Sequence, residues 1–206
     1  MNGDVYIFGS TVRGEIQNNS DIDVLAIPSN INEREIFPNF WSVYSRETIR
    51  NYFEEGRLFA WHLHLEAKCV FSDSETPFLL SLGAPRPYIT FIEDISNLEM
   101  LFNDSILELE NDSPNLIYEL GIVYTALRDI AMVASSRLLK QPCFSRNSPY
   151  LLPIEFPVPN EIYMCAMEAR LLSTRAISSD VNFKKIKESI ILLPIKSWIN
   201  AIKESL

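Results

Sequence analysis

The stretch GSTVRGEIQNNSDIDVLAI, residues 9–27, decides the fold of the N-terminal part of the chain. Apolar runs lie directly before it and at its end, and polar turn residues separate them. This pattern predicts two strands, at about residues 4–8 and 22–27. Asp21 and Asp23 stand two positions apart in the second strand, where alternate side chains point to the same face. Both carboxylates can therefore converge on one cation.

The residue types in this stretch favour a magnesium ion and a phosphate group. Carboxylate oxygens suit Mg²⁺, which usually takes one or two carboxylates together with phosphate oxygens and water. The turn at Gly9 and Ser10 is small enough for backbone amides to approach a phosphate, because successive N–H groups form a concavity that binds anions. An isolated pair of aspartates at this spacing is more often a solvent-facing part of a hairpin, so the surrounding pattern decides between the two interpretations.

That surrounding pattern resembles the signature of the polymerase β-type nucleotidyltransferases, especially the small bacterial ones of the minimal and kanamycin-type groups. Their signature is Gly-Ser, two residues, Arg-Gly and then Ser-Asp-x-Asp. All seven positions match in this chain: Gly9, Ser10, Arg13, Gly14, Ser20, Asp21 and Asp23. The resemblance implies an α+β fold, in which a head with a small mixed β-sheet is followed by an antiparallel helical bundle.

The resemblance also implies roles for individual residues. The turn at Gly9 and Ser10 would hold the triphosphate of an NTP substrate, and Asp21 and Asp23 would bind Mg²⁺. Arg13 would add donors to the phosphates if it points inward, and is otherwise an ordinary solvated arginine.

A third carboxylate, which the family normally supplies from the strand expected at residues 40–44, is missing. The chain has Ser42 at about that position, and a serine hydroxyl neither completes a metal site nor activates an attacking hydroxyl. Glu66 is the candidate substitute, because it lies four residues after His62 on a predicted helix and a His/Glu pair could act as a base. The alternative is that the two side chains only stabilise their helix.

The remaining pattern divides the chain into a head, residues 1–75, and a bundle, residues 76–206. In the head, a helix is expected between Ser45 and Gly56. The alternation of apolar and polar residues at 59–66 favours a strand in the next segment, whereas the resemblance to the nucleotidyltransferases implies a helix to about Ala67 and then a strand at 69–71. The resemblance is followed here. Beyond residue 77, apolar residues recur every three or four positions and predict an amphipathic bundle. Its helices are expected near 88–109, 113–139, 160–174, 181–192 and 195–206, with Ser113 as an N-cap.

Charge and composition exclude several classes of protein. A net charge of −9 leaves no extended surface for a long nucleic acid. Three widely spaced cysteines without a C-x-x-C pair predict neither a disulfide framework nor a zinc site. No apolar run approaches the roughly 20 residues of a membrane span, and the N-terminus lacks the pattern of a signal peptide. A cytoplasmic protein is expected.

Two functions follow from these expectations. The first is an Mg²⁺-dependent nucleotidyltransferase that transfers a nucleoside monophosphate from an NTP to an acceptor hydroxyl of a small molecule, a protein or an RNA end. The second is a catalytically weakened nucleotide-binding or regulatory partner protein, of the toxin–antitoxin or phage-defence type. The family usually places a helix before the first strand, and this chain begins almost directly with the strand. Either this helix is absent, so that the bundle or the partner subunit of a homodimer covers one face of the sheet, or the start codon is misplaced.

Overall fold

The computed structural model describes residues 2–16, 22–174 and 179–206. The chain divides into two compact units, the first comprising Met1–Ile89 with Phe144–Arg146, and the second comprising Thr90–Cys143 with Asn147–Leu206. The first unit contains the sheet, and the second is helical. The α+β class predicted from the sequence is confirmed.

A four-stranded mixed sheet forms the centre of the first unit, counted over the part of the chain that the structure describes. The strand order is β3-β2-β1-β4, with β1 Gly3–Phe8, β2 Asp23–Pro28, β3 Ser42–Val43 and β4 Lys68–Ser72. Strand β1 pairs antiparallel with β2 and β4, whereas β2 pairs parallel with β3. The β1–β2 register places Phe8 opposite Asp23. The end of β1 and the start of β2 therefore lie at the same end of the sheet.

Short helices lie between these strands: α1 Ser10–Arg13, a 3₁₀ segment Ile31–Ile36, α2 Arg46–Glu55 and α3 Leu58–Glu66. A further short helix, α4 Phe78–Leu82, follows the last strand. The predicted limits of α2 are observed. The Ser45 hydroxyl accepts a hydrogen bond from the Thr48 N–H at 3.0 Å, and Gly56 closes the helix in the left-handed conformation. The segment that follows is a helix and then a strand, as predicted.

Different residues pack against the two faces of the sheet. One face carries Tyr6, Phe8, Leu25 and Ile27, which pack against buried residues of α2, α3 and α4. The opposite face carries Val5 and Ala26, which pack against Phe37. Each large apolar side chain buried in this way contributes about 1.5–3 kcal/mol. Since side chains alternate along a strand, Asp23 lies on the face of Leu25 and Ile27, at the exposed end of β2.

A buried carboxylate extends the first unit beyond the boundary expected after residue 75. Asp4 is only 1% exposed and accepts hydrogen bonds from the Phe78 N–H at 2.8 Å and from the Ser72 hydroxyl at 2.5 Å. The Tyr6 hydroxyl donates to Asp4 and accepts from the Leu79 N–H at 3.0 Å. Burial raises the pKa of Tyr6, so this hydroxyl stays protonated. Asp4 and Tyr6 thus satisfy the first N–H groups of α4 and hold it in the core of the head.

The second unit contains six helices within its described residues: α5 Phe91–Glu110, α6 Leu116–Leu138, α7 Ser148–Leu151, α8 Asn160–Thr174, α9 Phe183–Leu192 and α10 Ile195–Ser205. Helix α6 is the centre and packs mainly against α5 and α8. A Cβ on Gly121 of α6 would lie 2.9 Å from the Arg170 Cα, so glycine permits the close approach of α8. No helix in the described ranges combines the length and apolar character needed to cross a membrane.

The predicted N-cap of α6 is wrong. Helix α6 begins after Asn115, and the Ser113 hydroxyl instead accepts a hydrogen bond from the Asn115 N–H at 3.3 Å. The Ser113 N–H bonds to the Glu108 carbonyl at 3.0 Å, which keeps Ser113 in the closing turn of α5. Asp112, with a φ of 56°, makes this turn left-handed.

Candidate active site

The candidate site is built on the turn between β1 and α1. Gly9 has φ 73° and ψ −147°, and Gly14 closes α1 in the left-handed conformation. The N–H groups of Val12 and Arg13 donate to the Gly9 carbonyl at 3.1 and 3.2 Å. The N–H groups of Ser10 and Thr11 precede these first intrahelical donors, at the start of α1.

The carboxylate of Asp23 lies against this turn. A Cβ built on Gly9 would come within 2.3 Å of the Asp23 Oδ2 atom. The absence of a side chain at Gly9 therefore makes room for the carboxylate. Asp23 is an exposed residue at the start of β2. The predicted partners Ser20 and Asp21 fall outside the described residues, and the convergence of Asp21 and Asp23 stays a prediction.

Arg13 is held by two carboxylates. Its Nε atom lies 3.2 Å from Glu15 Oε2, and one terminal nitrogen lies 2.5 Å from Glu66 Oε2. The side chains of Arg13 and Glu66 are 19% and 13% exposed, so this pair is shielded from water on most sides. At least two of the Arg13 donors therefore face carboxylates of the head rather than an anion from solvent.

Glu66 also makes the predicted contact with His62. The His62 Nε2 atom lies 2.9 Å from the same Oε2 atom that pairs with Arg13. One carboxylate oxygen thus joins α1 to α3. A general base needs a free oxygen that can accept a proton from the acceptor hydroxyl, and this Oε2 atom already contacts both Arg13 and His62. The arrangement favours a structural role for Glu66, while its predicted role as a base remains untested.

Ser42 occupies the place where the third carboxylate was expected. It pairs with Leu25 in the parallel β2–β3 ladder, and paired residues of a ladder point to the same face. Ser42 therefore lies on the face of Asp23, on the neighbouring strand. Among the residues with described positions, no group of three His, Cys, Asp or Glu side chains is close enough to hold a metal ion. The serine does not supply the missing acid.

The carboxylate oxygens at the turn are ligands that suit a magnesium ion. Asp23 offers hard carboxylate oxygens in an exposed position, next to backbone N–H groups that suit a phosphate. Mg²⁺ usually needs only one or two carboxylates, because phosphate oxygens and water complete its octahedron. Asp23, with Asp21 as its sequence-predicted partner, would hold the ion.

Two residues at the site were missed by the sequence analysis. The ring of Phe144 stacks on the His62 ring, with centroids 4.3 Å apart and planes inclined by 16°. A terminal nitrogen of Arg146 donates a hydrogen bond to the Glu15 carbonyl. No local motif marks these residues, because they lie far along the chain from the signature, in a proline-rich loop.

Comparison with known proteins agrees with the signature. Residues 2–93 match a family described as a nucleotidyltransferase domain. Among solved structures, the chain is similar to a spectinomycin adenyltransferase, AAD(9) from Enterococcus faecialis, with ATP and spectinomycin. The identity is 12% and the TM-score is 0.45, over 98% of this chain and 91% of the other. At these values the likeness bears on neither fold nor substrate. No curated protein sequence matches the chain.

Proposed function

We propose that the protein transfers a nucleoside monophosphate from an NTP to an acceptor hydroxyl in an Mg²⁺-dependent reaction, because residues 2–93 match a family described as a nucleotidyltransferase domain. The predicted family and the transferase class of enzyme are both confirmed by the domain match. The observation that supports the finer proposal is the position of Asp23, whose carboxylate lies against the Gly9 turn. A group that would bind the metal then lies beside the turn that would bind the phosphates.

Different residues of the head would bind the phosphates and the metal ion. Ser10 and the backbone N–H groups at the start of α1 would donate hydrogen bonds to the phosphates, and Asp21 and Asp23 would bind Mg²⁺. When bound, the ion would neutralise charge on the phosphates and favour deprotonation of the acceptor. Because phosphoryl transfer depends on charge neutralisation and alignment, no residue of the chain needs to form a covalent bond to the phosphate.

The proposal also includes the acceptor and the compartment. The acceptor would be a hydroxyl of a small molecule, a protein or an RNA end, because a net charge of −9 opposes binding of a long polyanion. Cys69, Cys143 and Cys165 are free thiols, as expected in the cytoplasm. A homodimer remains part of the proposal without further support.

Transfer of label tests this function. The protein is incubated with each α-³²P-labelled NTP and Mg²⁺, with and without a cell lysate as the source of acceptor. We expect label to move to an acceptor in a reaction that stops when EDTA is added. The same label should stay with the nucleotide in Asp21→Ala and Asp23→Ala. Transfer that persists in both variants, or in EDTA, would overturn the proposal.

The catalytically weakened protein is the second candidate, and Ser42 favours it. If the wild-type protein binds nucleotide but transfers it slowly, an acid at this position should restore activity, because Ser42 lies on the face of Asp23. We expect Ser42→Asp to raise the transfer rate at least about tenfold, since a positioned general base contributes about 10²- to 10⁴-fold. Initial rates measured with labelled NTP provide the comparison.

The matched control is Ser42→Asn, which has nearly the same size as aspartate but no charge. A Ser42→Asp rate equal to that of Ser42→Asn would show that no acid is missing at this position. It would contradict the weakened-enzyme hypothesis.

A further inference from the structure

The segment Phe144–Arg146 belongs to the first compact unit, although most of the chain around it belongs to the second. Phe144 is 5% exposed and Ser145 is 4% exposed. The segment is therefore packed into its surroundings in the head rather than lying on a surface. It contacts His62 and Glu15, two residues next to the turn and helix on which the proposed function depends.

Phe144 reaches this turn through an aromatic stack. Its ring stacks on that of His62, with centroids 4.3 Å apart. His62 also has edge-to-face contacts with Phe8, at 5.3 Å, and with Phe59, at 6.4 Å. Phe8 is the last residue of β1 and directly precedes Gly9. Aromatic pairs of these kinds contribute beyond their buried area. Through His62, Phe144 thus helps to hold Phe8, the residue directly before the turn.

Arg146 acts at the opposite end of α1. Its guanidinium donates a hydrogen bond to the carbonyl of Glu15, directly after Gly14. Between the two ends, Arg13 of α1 pairs with Glu66, and the same Glu66 oxygen contacts His62. The four-residue helix α1 is too short to be stable by itself. The position of α1 therefore depends on the contacts of Phe8 before it, of Arg13 within it and of Glu15 after it.

We propose that Phe144 and Arg146 are positioning residues for the phosphate-binding turn. They hold α1 through His62 and the Glu15 carbonyl, so that the N–H groups after Gly9 stay aligned with the carboxylate of Asp23. This inference rests on the proposed function, because the turn must bind phosphate for its alignment to matter. Small displacements of positioning groups have large effects on the binding and transfer of a phosphoryl group.

The test measures binding of Mg²⁺ with inorganic triphosphate, and of Mg²⁺ with ATP, by titration calorimetry on the full chain. The variants are Phe144→Leu, which keeps an apolar side chain but removes the ring, and Arg146→Gln, which removes the charged guanidinium group. We expect each to weaken binding of both ligands at least about fivefold. The double variant should lose less than the product of the two losses, since both residues act on the same turn.

Two further variants separate positioning from general stability. Phe156→Leu is the matched control, because Phe156 is likewise a buried, aromatic-packed phenylalanine, 8% exposed, but belongs to the second unit. It should lower the melting temperature as Phe144→Leu does and leave triphosphate affinity within about twofold. Arg146→Lys keeps one donor and the charge, and should recover part of the affinity that Arg146→Gln loses.

The outcomes separate the two proposals. Wild-type binding that neither Phe144→Leu nor Arg146→Gln changes would overturn the positioning role alone. The same holds if Phe156→Leu weakens binding as much as Phe144→Leu. A wild-type protein that binds neither ATP nor triphosphate would overturn the proposed function, and the positioning role with it.

Discussion

Replacing Asp23 with asparagine is expected to reduce nucleotide transfer at least about a thousandfold, because metal ligation supplies several kcal/mol of transition-state stabilisation and each 1.4 kcal/mol is a factor of ten. Asparagine keeps the shape of the side chain but removes the charge that would bind the metal. Asp23 is exposed at the end of β2, so the fold should persist. Initial rates with labelled NTP and a thermal unfolding curve measure the two effects separately.

The control for this substitution is Glu54→Gln, which removes the same charge from an exposed position of α2 in the same unit. Glu54→Gln should transfer nucleotide at the wild-type rate, because it lies outside the proposed site. If Asp23→Asn and Glu54→Gln had similar rates, the loss of charge alone would explain the result and Asp23 would not be a metal ligand.

Replacing Gly9 with alanine is expected to lower the transfer rate about a hundredfold or more. The backbone at Gly9 has φ 73° and ψ −147°, a region that only glycine occupies readily, and strain of this kind costs about 1–3 kcal/mol. The added Cβ would also lie 2.3 Å from Asp23 Oδ2. The carboxylate must therefore move away from the turn, which would separate the proposed metal ligand from the proposed phosphate-binding turn.

The chain contains a matched control for the backbone strain. Gly83 has φ 70° and ψ −150°, nearly the conformation of Gly9, but a Cβ there would meet no atom within 4 Å. Gly9→Ala and Gly83→Ala should lose similar amounts of unfolding free energy in urea titrations. Only Gly9→Ala should lose transfer activity. Equal activity in the two variants would show that the contact between Gly9 and Asp23 has no part in catalysis.

The local part of the site could be predicted from sequence. Two apolar runs and the alternation of a strand fix β1 and β2, and the antiparallel register then brings Asp23 to the Gly9 turn. Ser45 and Gly56 mark the ends of α2 for similarly local reasons, because a cap depends on residues within one turn of the helix.

The contacts that hold the turn could not be predicted in this way. Glu66 pairs with Arg13, and Arg146 bonds to the Glu15 carbonyl, across long stretches of sequence. No periodicity or motif records such pairs, since they arise only when the elements pack. The pairing of His62 with Glu66 could be predicted, because both lie on one helix, four residues apart.

The extent of the head was missed for a related reason. An aspartate in a strand is usually read as a solvent-facing residue, but Asp4 is buried and binds the start of α4. A buried carboxylate needs donors, and here distant backbone N–H groups supply them. The polar stretch before Phe78 looks like a linker in the sequence, whereas the helix after it completes the core.

The most direct test of the account is a crystal structure with a non-hydrolysable ATP analogue and Mn²⁺ in place of Mg²⁺, using the anomalous signal of manganese. We expect a manganese peak within about 2.5 Å of an Asp23 carboxylate oxygen, with the triphosphate against Gly9 and Ser10. A manganese peak away from Asp23, or a triphosphate bound elsewhere on the chain, would contradict it.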